Sequence, residues 1–280
     1  MPCGFPPEGL RSALSYKPRA NDIIVSTYPK CGTTWTQNII YMLFNNGQPV
    51  APDESIRELF PHLEEKGREF IEQLPQPRLI KTHLPLPMSP FNSDAKFVYV
   101  VRNPFDCAVS FFHHTRGFTK HYDFSNGTFA DYFESFIEGA VDFGDYFDHL
   151  MSWYAVTSQE NVYFVTYEAL KRDLDREIVR LGRFLGGVAE QVANDPQRRA
   201  QVVAASSFDR MARNQLRWAS KRPEGQTDFV RKGIVGDWKN HFSTDQLRRL
   251  LEKSEEVTRG TDILNQWSDI YADVRAACSA

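Results

Sequence analysis

Apolar positions along this chain fall into short dense runs separated by turn residues. Asp22-Ile23-Ile24-Val25-Ser26 is β-branched and predicts a buried strand. TTWTQNIIYMLF follows within a few residues, and Trp35, Ile39 and Leu43 recur at helical spacing, which predicts a helix over 33–45. Arg78 to Pro87, RLIKTHLPLP, predicts a short strand running into a proline-braked loop, and Phe97 to Val101, FVYVV, is the clearest buried strand. After it Asn103 has the chemistry of an N-cap, with Pro104 at the first helical position and Asp106 in the first turn, for a helix that ends near Gly117. Asn161 to Tyr167, NVYFVTY, predicts a further strand. Helices are expected near 128–139, 145–158, 174–185, 189–200, 207–213 and 243–258, with one or two short ones within 46–78. Residues 1–21 are Pro-rich and read as an irregular surface segment, 214–236 lack periodicity and are basic, and a short tail closes the chain.

Strands alternating with helices predict an α/β fold, a single domain over 1–280 with a central parallel sheet flanked by helices. A ligand is then expected at the carboxyl ends of the strands. The chain of 280 residues is long enough for a full core, and 41% hydrophobic with 25% charged residues is ordinary for a globular domain. A net charge of −3 argues against nucleic acid as a partner. No apolar run reaches bilayer length and the N-terminus lacks the apolar core of a secretory signal, so neither membrane nor export is expected. Cys3, Cys31, Cys107 and Cys278 have no metal-type spacing, which places the chain in a reducing, cytoplasmic compartment.

The chemistry gathers at the strand ends. TYPKCGTTW, Thr27 to Trp35, is a tight loop between strand and helix, the geometry of an anion cradle. Lys30 adds a charge, Gly32 allows close backbone approach, and Thr33 and Thr34 add hydroxyl donors. It is not a Walker A loop, because Lys30 precedes Gly32 and the first glycine is missing. The second strand ends in Lys81-Thr82-His83, whose lysine and imidazole, two residues apart, project to one side. FVYVV ends in Arg102, where a Walker-type nucleotide triphosphatase has a Mg²⁺-binding aspartate; an arginine pairs with an anion directly. Ser110 lies about two turns into the next helix, and the fourth strand gives Tyr167. RKGIVGDWKNHF, Arg231 to Phe242, joins Arg231 and Lys232 to Gly233 and Gly236, as suits a loop that closes over an anion. Cys31, beside Lys30 at a helix N-terminus, has two features that lower a thiol's pKa and make it reactive, while a thiol packed under the loop is inert, and both readings stay open; Cys107 is expected to be buried and slow.

Together these pieces resemble the cytosolic sulfotransferase family over roughly residues 18–245. TYPKCGTTW resembles its 5′-phosphosulfate loop, KTHLP at 81–85 its catalytic segment, the RNPFDCAVSFF run its 3′-phosphate motif, and RKGIVGDWKNHF its C-terminal signature. FGDYFDHLMSWY and VTYEAL also stand in family order. The resemblance implies the donor 3′-phosphoadenosine 5′-phosphosulfate (PAPS), the product 3′,5′-adenosine bisphosphate, no metal, and a small hydroxylated acceptor. It makes His83 the general base and places Lys30, Lys81 and Ser110 with it in catalysis. Arg102, Ser110, Arg231, Lys232 and Gly233 would bind the 3′-phosphate. Trp35 and Phe208 would sandwich the adenine, with Tyr167 and the Ser206–Met211 segment alongside. Cys31, Gly32, Thr33, Thr34 and Phe229 complete the implied nucleotide site.

The chain departs from the family pattern at Cys31, where serine is usual, and at Arg248, where the family's dimer segment has an acid; this argues against the family-type homodimer. The 111–126 stretch also has its own pattern, and Phe111, Phe112, Phe118 and Phe124 are expected along the acceptor wall. A metal-dependent nucleotide kinase and a non-catalytic nucleotide-binding module are the alternatives.

Overall fold

The computed structural model describes residues 4–219 and 222–279. Cys3 and Lys221 of the sequence reading lie outside them. Four strands, β1 (Asp22–Thr27), β2 (Arg78–Thr82), β3 (Lys96–Val101) and β4 (Val162–Thr166), form a sheet in the order β2-β1-β3-β4. Every pairing is parallel, as strand–helix alternation requires. Side chains alternate across the sheet. Ile24, Ile80, Phe97 and Tyr99 enter one core with Phe105, Trp153 and Trp267. Ile23, Val25, Val98 and Val100 enter the other with Ile39, Leu43 and Ile178. Both faces are covered, so the strands read as continuous apolar runs.

The helices around the site follow the strands closely. One spans Thr33–Phe44 after β1, and another spans Pro104–Gly117 after β3. The Asn103 side chain accepts from the Asp106 N–H, the N-cap its chemistry predicts. Buried Glu168 braces that cap by accepting from the Asn103 backbone N–H and side-chain amide, and it also accepts from the Trp267 indole.

Three expectations change. Residues 1–21 are not all irregular: Pro7–Leu14 is a helix, because a proline in the first turn is compatible with helix initiation. The expected helix over 189–200 is two, Gly187–Asn194 and Pro196–Ala205, since Pro196 cannot continue one helix and starts the next. The tail carries the helix Ser268–Ser279, preceded by the buried Trp267.

Candidate active site

The four strands end side by side, and the residues just past them line one cavity of about 280 Å³. Lys30, Gly32, Thr33, Thr34 and Trp35 reach it from the first strand, Lys81 and His83 from the second, Arg102 and Ser110 from the third, and Tyr167 from the fourth. The distant segments contribute Ser206, Phe208, Met211, Phe229, Arg231, Lys232 and Gly233. Of the nucleotide-site residues taken from the sequence, Cys31 alone does not line it.

The cradle is shaped by two left-handed residues, Lys30 at φ 68° and Gly32 at φ 105°. At Gly32 a Cβ would meet the Tyr167 ring at 3.0 Å, so glycine lets strand, loop and ring pack together. The Thr27 and Thr33 hydroxyls are 2.7 Å apart beneath the loop. Burial holds the Lys30 ammonium well below its usual pKa, and the like charges of Arg222, Arg102 and Arg231 lower it further. Arg102 donates to the Ile234 carbonyl at 2.9 Å, stacks on Tyr167 at 4.4 Å, and leaves its buried Nε without a hydrogen-bond partner. Its nearest helix carboxylate, Asp106, is 3.9 Å away, too far for a tight pair. Such a cluster of partly desolvated cations fits a polyanion that would relieve its repulsion.

The C-terminal loop is tied down rather than free. Asp237 pairs with Arg231 at 2.6 Å and Lys232 at 2.7 Å, while Asp106 accepts from the Gly236 and Trp238 N–H groups. Burial alone would raise the Asp237 carboxyl, but Lys232, Arg231 and Asn240 outweigh it and hold it well below the usual range. Gly233, at φ 63°, lies where a Cβ would come 2.4 Å from Phe208, so the basic loop and the Phe208 ring meet only over glycine. The Trp35 indole donates to the Ser206 carbonyl at 2.8 Å, fixing the other aromatic face of the pocket.

His83 sits beyond the cradle. Its Nδ1 lies 2.7 Å from the Thr27 carbonyl, so Nδ1 carries the proton and Nε2 keeps its lone pair. Burial pushes its pKa well below the usual imidazole value, with His62 and Lys81 adding to the effect. Burial likewise brings Lys81 down to about 8.

For Cys31 the structure favours the inert reading. It is 0% exposed, its sulfur faces Cys107 at 3.7 Å, and its N–H donates to the Tyr28 carbonyl. Burial and then Cys107 push its thiol well above the usual value, the reverse of activation. Phe112 and Phe124 are corrected. Both pack towards Tyr132, while Phe111 and Phe118 reach the cavity. The cavity is also lined by residues that sequence reasoning missed, among them Phe5, His62, His114, Asp142 and Phe143. Phe143 belongs to a segment noted only for its family order; it holds φ 65°, and the next carbonyl, of Gly144, accepts from Tyr28 at 2.9 Å.

Among the described residues no His, Cys, Asp and Glu group is arranged to hold a metal, and no helix is long and apolar enough to cross a membrane. At the dimer-segment positions, Lys239 pairs with Asp273 and Arg248 with Asp245.

Fold and site define an α/β protein with an anion cradle at the sheet's carboxyl edge and a half-buried neutral imidazole beside it. The chain belongs to the sulfotransferase family, whose sulfotransferase-domain model matches residues 20–262. It is 35% identical to sulfotransferase 1C2 of Rattus norvegicus over 264 residues, covering 89% of this chain and 87% of that protein. Sulfotransferase 1B1 of Mus musculus is 33% identical, with 86% and 84% covered. Among solved structures, mouse sulfotransferase SULT7A1 complexed with PAP superposes with a TM-score of 0.74 at 30% identity, covering 98% of this chain and 94% of that one.

Proposed function

We propose that this sulfotransferase moves the sulfuryl group of PAPS to the hydroxyl of a small, flat aromatic acceptor, a phenol or a phenolic amine. The observation that carries the reading is the placement of His83, neutral and with Nε2 open, in the same cavity as the clustered cations Lys30, Arg102 and Arg231. The buried Arg102 Nε without a partner and the crowding around Lys30 fit the nucleotide's phosphates. The PAP complex of the mouse relative supports the same donor.

In this mechanism His83 Nε2 takes the acceptor hydroxyl proton while the acceptor oxygen bonds to sulfur. The bond from sulfur to the donor's phosphate oxygen breaks in line. Lys30 receives the charge on the departing oxygen and Lys81 that on the sulfuryl oxygens. A sulfuryl group carries less charge than a phosphoryl group, so lysines suffice where kinases use Mg²⁺. Arg102, Ser110, Arg231, Lys232 and Gly233 hold the 3′-phosphate, and Trp35, Phe208 and Phe229 surround the base. Phe5, Phe111, Phe118 and Phe143 give the acceptor side aromatic walls, and the carboxylates that line the cavity are already engaged, Asp142 by the Tyr122 hydroxyl and Glu65 by Arg57. The protein works in the cytoplasm.

The test is a panel of acceptors with PAPS. Transfer to simple phenols or phenolic amines is expected. Activity on oligosaccharides with none on either aromatic class would overturn the acceptor assignment.

A further inference from the structure

Glu64 has no part in the chemistry above, yet it is a wholly buried carboxylate directly behind the imidazole, 0% exposed. It sits in the single helical turn that begins at Leu63, before the chain breaks from helical geometry at Gly67 (φ 76°, ψ 171°). One oxygen accepts two bonds, from the His83 backbone N–H at 2.7 Å and from the Thr82 hydroxyl at 2.8 Å. The other oxygen lies 3.3 Å from His62 Nε2, and no hydrogen bond of good geometry closes that pair. His62 lines the cavity and stands edge-on to His83, ring centroids 4.8 Å apart. Burial would raise the Glu64 carboxyl, but His62, the His83 N–H and the Thr82 hydroxyl outweigh it, so the group is ionised at neutral pH.

A buried carboxylate is costly unless it is partnered, and these partners converge on one target. Where a carboxylate usually grips the second ring nitrogen of a catalytic histidine, here Nδ1 is taken by the Thr27 carbonyl. The carboxylate instead holds the base through its own peptide. Thr27 sets the tautomer, and Glu64 sets where the ring stands. We propose that Glu64, backed by His62, is a positioning residue for His83, holding its peptide in place while the imidazole takes the acceptor proton. This rests on His83 being the general base.

Glu64→Gln in the full chain keeps size and one acceptor oxygen but removes the charge. Its kcat should fall about 10- to 100-fold, less than loss of the base itself, with the Kd for 3′,5′-adenosine bisphosphate and the Tm close to wild type. His62→Gln should cost several-fold in kcat, and the double variant should be no worse than Glu64→Gln alone, because the two act as a unit. Should Glu64→Gln not fold, Thr82→Val carries the test, with a several-fold loss of kcat at unchanged nucleotide affinity. A kcat within about twofold of wild type would overturn the proposal. So would a loss matched by equal losses in nucleotide affinity and Tm, the signature of a purely structural role. If His83→Ala itself kept full activity, the reading of the base would fail first, separately from Glu64.

Discussion

The cradle around Lys30 and the wall around His62 and Phe143 bound the same cavity, but the chain builds them differently. The cradle is local. Strand, loop and helix follow within a dozen residues, and two left-handed positions fold Lys30 and Gly32 around one point. The wall is assembled from residues as far apart as Phe5, His62, His114 and Phe143, each on a different segment. The cradle concentrates cations, and the arginines add to the effect of burial in lowering the Lys30 pKa. The wall sets neutral imidazoles against phenylalanines. A local loop suits a ligand group common to every turnover, with Arg231 and Phe208 joining it from distant segments, and a wall of separate segments suits a group that varies.

If this division holds, variants on either side should separate cleanly, and His83→Ala should show the largest effect. Its kcat is expected to fall by on the order of 10²–10⁴, while calorimetry finds the affinity for 3′,5′-adenosine bisphosphate nearly intact. Full activity at neutral pH would break the assignment of the base.

Arg102→Ala and Arg231→Ala probe the other half. A charge-assisted bond contributes about 1.5–3 kcal/mol, which is roughly ten- to hundredfold in Kd. The loss should appear for the 3′-phosphorylated product and be much smaller for its 3′-dephospho analogue. Equal losses for both nucleotides would remove the 3′-phosphate from this end of the cavity.

Phe5→Ala sharpens the contrast at smaller scale. The Phe5 ring stands edge-on to His62, with centroids 4.9 Å apart. An edge-to-face contact is worth about 0.5–1.5 kcal/mol beyond buried area, so the acceptor KM should rise a few-fold with donor affinity unchanged. A weaker nucleotide Kd would show that this segment serves both halves.

Cys31→Ser should do least. A buried thiol with a raised pKa neither reacts nor touches the cavity, so activity should stay near wild type and alkylating reagents should leave the protein active. Rapid inactivation with label on Cys31 would mean that the loop opens in solution.

The same contrast explains how much could be read from the sequence. β-branched runs, the Asn103-Pro104 cap and the residues after each strand are short-range signals, and they located Lys30, Lys81, His83, Arg102 and Tyr167 at one edge of a parallel sheet. Cys31 stayed open because local sequence shows a neighbouring lysine and a helix start but not the burial that reverses their effect. Phe112 and Phe124 misled because helix and loop positions do not say which face meets the cavity. Phe5 and His62 carry no local signature, since a Pro-rich terminus and a lone histidine have many uses. Only the packing of Phe5, His62, His83 and Phe143 on one another assigns them to the site.

The central claim is metal-independent sulfuryl transfer by side chains at the sheet edge. Its most direct test incubates the protein with ³⁵S-labelled PAPS and a simple phenol in excess chelator. Labelled aryl sulfate and 3′,5′-adenosine bisphosphate in equal amounts are the expected products. No transfer under these conditions, with phosphoryl transfer from ATP on adding Mg²⁺, would contradict it.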